Sequence, residues 1–167
     1  MPHNLVLAPF KFTTIPLGSI KTSGWLYDQL RLSGDGLGGH LFDFYRYVQR
    51  STWMGGDFEY SELHESAPYW FNYIVPLAWT LDDSRLKSQA RQFLDYTLDH
   101  QAQDGWLGPE TTRQTRGIWA RSLLCFGLVV CHLLNLYDSL WNMTLKEVER
   151  VVCISFPNRI FSLFNKI

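Results

Sequence analysis

Residues 66–98 read SAPYWFNYIVPLAWTLDDSRLKSQARQFLDYTL, and the spacing of their apolar side chains decides the fold class. Ser66 is a candidate N-cap with Pro68 in the first turn, where a missing amide N–H costs nothing. Trp70, Phe71, Ile74, Leu77, Ala78 and Leu81 follow at helical spacing and make the segment apolar nearly all round, the pattern of a helix buried between neighbours. Pro76 removes one amide and crowds the carbonyl four residues earlier, which predicts a kink with a free acceptor on Asn72. Asp82 and Asp83 leave room only for a very short connection. Leu86, Ala90, Phe93, Leu94, Thr97 and Leu98 then form one stripe on a second helix, so the stretch is an antiparallel helical hairpin.

Working outward, the same period continues. Toward the N-terminus, Leu26, Leu30, Leu37, Leu41, Phe44 and Val48 keep helical spacing on both sides of Gly34-Asp-Gly36-Leu-Gly38-Gly39, which predicts two short helices around a glycine break. Thr52 to Glu62 reads as a loop. Toward the C-terminus, Gly117 to Tyr137 predicts another mostly apolar helix. Its run from Leu123 to Cys131 is shorter than the roughly 20 residues that span a bilayer, so a core helix is expected and no stable membrane span. Thr144-Leu-Lys-Glu147 is a capping box opening a short helix toward Cys153, ended by Pro157. There is no alternating β pattern of useful length and no exact repeat. The class expected is all-α, a stack of helical hairpins.

The 167 residues are 46% hydrophobic and 19% charged, with 7 Trp, 8 Tyr and 11 Phe, a composition of packed domains rather than disordered chains. A formal charge of −1 gives no basic field for phosphate backbones, so nucleic acid is not an expected partner. Cys125, Cys131 and Cys153 have no C-x-x-C spacing and read as reduced core thiols. Met1 to Ile20 carries only the short apolar patch Leu5 to Ala8 with no basic region before it. No cleaved signal peptide is indicated, and a cytoplasmic location is the default expectation.

Two clusters carry polar chemistry. The first is the loop Gln101-Ala-Gln-Asp104-Gly105-Trp106-Leu107-Gly108-Pro109-Glu110. Its glycines let a ligand approach the backbone, an exposed indole can stack on a sugar ring, and carboxylates can bond hydroxyls. The second lies at the start of the first hairpin helix, where His64 and Glu65 precede Tyr69, Trp70 and Asn72; a capped core helix accounts for the same residues. If both clusters share one end of the bundle, Glu65, Asp104 and Glu110 are the carboxylates available, and a glycosidase uses two such acids across a glycosidic bond. Gly34-x-Gly36-x-x-Gly39 matches a dinucleotide fingerprint by letters only, because no strand precedes it. The five histidines have no zinc-ligand spacing, and neither a Ser–His nor a Cys–His pair is marked.

Several blocks together resemble one family. These are residues 15–30, Gly36-Leu-Gly-Gly-His40-Leu, Trp53-Met-Gly-Gly56, Glu65-Ser-Ala-Pro-Tyr69-Trp-Phe-Asn72-Tyr-Ile-Val-Pro-Leu-Ala78 and Gln103-Asp-Gly-Trp-Leu-Gly-Pro-Glu110. They are similar to the N-terminal part of the β-L-arabinofuranosidase-type glycoside hydrolases, in their eukaryotic branch, over about residues 12 to 128. Trp119-Ala-Arg121-Ser resembles the family's Trp-Gly-Arg-Ser helix start, with Ala120 in place of the glycine. The resemblance implies an incomplete (α/α)6 toroid over residues 1–130 and a divergent, partly helical tail over residues 131–167. It implies substrate-binding positions at Glu65, Tyr69, Trp70, Asn72, Asp104, Trp106 and Glu110, with a carbohydrate ligand.

Characterised members use a cysteine nucleophile and a zinc ion held by cysteines and a glutamate, all from the second half of a longer chain. Those motifs have no counterpart here, so no catalytic residue, metal ligand or cofactor is expected within this chain. The expectation is an N-terminal fragment of a hydrolase acting on β-L-arabinofuranosides or related glycans, inactive alone and a truncated or misannotated gene product. A non-catalytic helical carbohydrate-binding or interaction module is the alternative. A partial ring leaves apolar helix faces uncovered, which predicts self-association.

Overall fold

The computed structural model describes Ile15 and residues 17–133. The capping box at Thr144–Glu147, Cys153 and Pro157 lie outside the described residues, as does nearly all of the expected 131–167 tail. Helices α1 (Trp25–Asp35), α2 (Leu37–Phe44) and α3 (Arg46–Gln49) lead through a 3-10 turn at Thr52–Met54 to α4 (Ser66–Leu81), α5 (Ser84–Asp99) and α6 (Trp119–Leu133). Among the described residues the chain is all-α. The β geometry amounts to a lone bridge between Ser51 and Phe58.

The hairpin closes on two aspartates. Asp82 takes a left-handed conformation (φ 56°, ψ 37°) that few residues other than glycine and asparagine tolerate as well. Its amide donates to Trp79 O at 3.3 Å and that of Asp83 to Ala78 O at 3.0 Å, so two carbonyls of the last turn of α4 are satisfied. The Asp83 carboxylate then accepts the Leu86 amide at 3.1 Å and caps α5. At the other end of α4 the expected N-cap needs correction. The Glu65 carbonyl already accepts the Tyr69 amide at 3.0 Å, so Glu65 is the N-cap and Ser66 the first helical residue. The Glu65 carboxylate accepts from the Ser61 hydroxyl (2.9 Å) instead of capping helix amides.

Helix α4 carries Pro76 within its span and packs against both α5 and α6. That placement is why it is apolar nearly all round: Phe71, Ile74, Val75 and Ala78 are fully buried. Phe93 of α5 meets Phe71 at 4.8 Å and the edge of Trp70 at 5.9 Å, while Phe42 of α2 stacks on Trp70 at 5.2 Å. Each such side chain contributes about 1.5–3 kcal/mol on leaving water. On α6, Gly127 lies so close to α4 that a Cβ there would stand 2.6 Å from Phe71 Cε1 and 2.9 Å from Asn72 Oδ1.

The glycine-rich stretch is a helix corner, as its spacing predicts. A Cβ on Gly39 would collide with the backbone of Gly34. Arg85 of α5 donates to Gly39 O and Gly34 O, both at 2.7 Å, and ties the corner to the hairpin. No helix among the described residues is long and apolar enough to cross a membrane. Phe126 and Trp119 on α6, and Tyr69 and Tyr73 on α4, are exposed.

Candidate functional site

An antiparallel hairpin followed by a third helix brings the start of α4, the end of α5 and the start of α6 to one end of the bundle. The two polar clusters therefore do share an end. There a cleft of about 780 Å³ opens, within the roughly 300–1,000 Å³ of small-molecule sites. Thr52, Trp53 and Gly56 come to it from the 3-10 turn, Glu62 and His64 from the loop before α4, and Tyr96, Thr97 and His100 from the last turn of α5. The loop after α5 completes the lining through Gly108, Pro109, Glu110, Thr115 and Arg116.

That loop is held by arginines. Arg121, on the first turn of α6, donates from Nε to Leu107 O at 2.8 Å and from Nη1 to Glu110 Oε1 at 2.6 Å and Gly117 O at 3.0 Å, while its Nη2 faces Glu110 Oε2. Both carboxylate oxygens of Glu110 are thus engaged, and Oε2 also receives the Trp106 indole N–H at 3.4 Å. Burial lowers the Arg121 guanidinium to about 9, still charged at neutral pH. Asp104 makes a second pair, accepting from Arg116 at 2.5 and 3.1 Å. These hydrogen bonds hold the Asp104 carboxyl below its ordinary value of 3.8.

Trp106 differs from the exposed indole expected of this loop. It is 7% exposed, with the guanidinium of Arg121 over its ring at 4.5 Å and that of Arg116 at 4.8 Å. The reason is electrostatic: an indole face attracts a guanidinium, and here Arg116 of the loop and Arg121 of α6 both supply one. Trp53 accepts Arg121 in the same way at 5.0 Å.

The α4 cluster divides. Glu65 sits at the helix start beside His64, and Tyr69 is exposed. Trp70 is buried among Phe42 and Phe93, with its indole nitrogen unpaired. Asn72 is half-buried at the α4–α6 contact with Oδ1 lacking a partner. Of the seven residues expected to bind substrate, Glu110 lines the cleft. Asp104 and Trp106 line a smaller adjoining recess of about 390 Å³ with Arg113, Arg116 and Ile118.

Other residues in and around the cleft gave weak sequence signals. Tyr96 and His100, one helical turn apart, stack at 3.8 Å. Arg121 is a charge inside an apolar helix, which marks a buried pair. Glu59 had no sequence signal at all, yet its Oε1 accepts from Ser51 Oγ (2.7 Å), Thr52 N (2.8 Å) and Thr52 Oγ1 (2.5 Å).

Among the described residues no three His, Cys, Asp or Glu side chains gather as a metal site. Burial pushes the thiols of Cys125 and Cys131 up to about 11 and about 12, so both are neutral at physiological pH. Compared with known protein families, characterised proteins and solved structures, the chain finds no match.

Proposed function

We propose that this chain is the N-terminal part of a β-L-arabinofuranosidase-type glycoside hydrolase, a segment of an (α/α)6 toroid whose loop end forms one wall of a carbohydrate site. The observation that carries the reading is the convergence of the 3-10 turn, the loop before α4, the α5 end and the α5–α6 loop on one cleft lined by aromatic and hydroxyl-bonding groups. In a ring of hairpins that end is where loops meet. The resemblance of the Pro68-Tyr-Trp and Asp104-Gly-Trp-Leu-Gly-Pro-Glu110 blocks adds to it. In this reading the nucleophile and the zinc ligands belong to sequence beyond this chain, which alone hydrolyses nothing.

Hydrolysis of β-L-arabinofuranosides by the 167-residue chain, with and without added zinc, tests the point. No turnover is expected, and clear turnover overturns the claim of inactivity. An in-frame continuation with a cysteine-rich zinc motif in the genomic sequence after the Ile167 codon is the expected companion result.

A second reading, a non-catalytic helical carbohydrate-binding or interaction module, is favoured by one observation. Asp104 and Glu110, the loop's candidate acids, are both paired with arginine. Saturable binding of arabinose-containing glycans, with no such genomic continuation, supports this reading over the first. We also expect self-association through the exposed apolar residues of α4 and α6, which sedimentation velocity reads directly.

A further inference from the structure

We infer that His64 is the hydroxyl-recognising group of the cleft, its Nε2 accepting a hydrogen bond from a hydroxyl of a glycoside, with Thr52 and Glu59 as the residues that position it. The assignment rests on the carbohydrate reading of the cleft and specifies how that cleft would read its ligand.

The chain of donors decides the imidazole tautomer. Glu59 Oε1 is the shared acceptor for the Ser51 hydroxyl, the Thr52 amide and the Thr52 hydroxyl. A threonine hydroxyl has one proton. At 2.5 Å from the carboxylate and 3.2 Å from His64 Nδ1, Thr52 gives that proton to Glu59 and keeps its lone pairs toward the ring. Nδ1 therefore carries a hydrogen, donated to Thr52 Oγ1 beside the Glu59 carboxylate, and in the neutral imidazole Nε2 carries the lone pair. A ring nitrogen fixed by a hydrogen bond on the other nitrogen is the usual way a protein sets histidine's role.

His64 lines the cleft beside Thr52. Among the described residues Nε2 has no hydrogen-bond partner, and it is not among the buried unpaired atoms. The backbone that carries the ring is also held. The Trp53 indole N–H donates to the His64 carbonyl at 2.7 Å, and the backbone stands at φ 53°, a left-handed conformation uncommon outside glycine. Strain of that kind persists where surrounding contacts over-determine it, and it concentrates at ligand sites.

The left-handed backbone supplies the control. In His64→Gly the imidazole is gone while the backbone conformation becomes easier, so the thermal midpoint is expected to hold or rise. The probe is methyl β-L-arabinofuranoside titrated into the full 167-residue chain, with imidazole ¹⁵N shifts recorded in parallel. Nδ1 protonated and Nε2 bare in the free chain, an Nε2 shift on titration, and about 3- to 10-fold weaker binding by His64→Gly are the expected results. Thr52→Val, which removes the hydroxyl but keeps the shape, is expected to mix the two tautomers.

Nε2 protonated in the free wild type overturns the assignment. Binding that survives His64→Gly unchanged overturns it and leaves the carbohydrate reading standing. No binding of the glycoside or of longer arabinan oligosaccharides by the wild type overturns both.

Discussion

Arg121 and Glu110 form an ion pair with 2% and 4% of their side-chain surfaces exposed, and it fastens the first turn of α6 to the end of the cleft loop. Two charges taken this far from water persist because each neutralises the other, while Arg121 Nε and Nη1 also reach Leu107 O and Gly117 O. Trp53 and Trp106 share the same guanidinium. The 3-10 turn, the cleft loop and α6 therefore form one connected unit.

Glu110→Gln removes one partner and leaves the guanidinium buried without its counter-charge. A loss of about 3–5 kcal/mol is expected in urea unfolding, the range for breaking a buried pair. A loss below about 1 kcal/mol would show that water reaches the pair.

Gly127→Ala tests the α4–α6 contact. Alanine is the better helix former by about 1 kcal/mol, but its Cβ would press on the ring of Phe71, which is fully buried and has no room to move. Overpacking costs about 1–3 kcal/mol and should win, lowering the thermal midpoint. A raised midpoint would mean that the helices separate freely.

Asp104 sets an acid dependence of the loop. Its folded-state value is depressed, chiefly by the Arg116 hydrogen bonds. The stability it contributes is fully present above the ordinary carboxylate value of 3.8 and is lost as pH falls through the lower folded-state value. The difference in unfolding stability between wild type and Asp104→Asn is accordingly expected at neutral pH and should vanish in acid. A difference that stays constant down to acid pH would remove Asp104 as its source.

Cys125 and Cys131 should resist iodoacetamide in the native chain at pH 8, because only thiolate reacts and burial keeps both thiols protonated. Peptide mass mapping should find both modified once the chain is unfolded in urea. Rapid native labelling at Cys131 would indicate that α6 opens.

The helical hairpin was legible in the chain because helix period is local information. Trp70, Phe71, Ile74 and Ala78 repeat with the turn of a helix, and the Gly34–Gly39 break carries its own conformational signature. The end of the bundle at which the polar clusters meet also followed, since a two-residue connection forces antiparallel packing. The start of α4 was displaced by one residue, because Ser66 has the side chain of a cap but the cap's position is set by which carbonyl accepts the Tyr69 amide, here that of Glu65.

The sequence by itself determined the all-α class, the hairpin and the residue types brought to the cleft end. Only the tertiary structure decided what those residues do. Trp106, read as a free stacking surface, became a platform for Arg116 and Arg121, and Glu110 became half of a buried ion pair. Glu59, silent in the sequence, became the acceptor that orients Thr52 and His64. A side chain's chemistry is set by its partners, and these partners lie on different elements: Arg121 is 11 residues from Glu110, and His64 is 12 from Thr52. Helical period fixes neighbours three or four residues apart, whereas loop partners are chosen only when the packed helices bring the loops together.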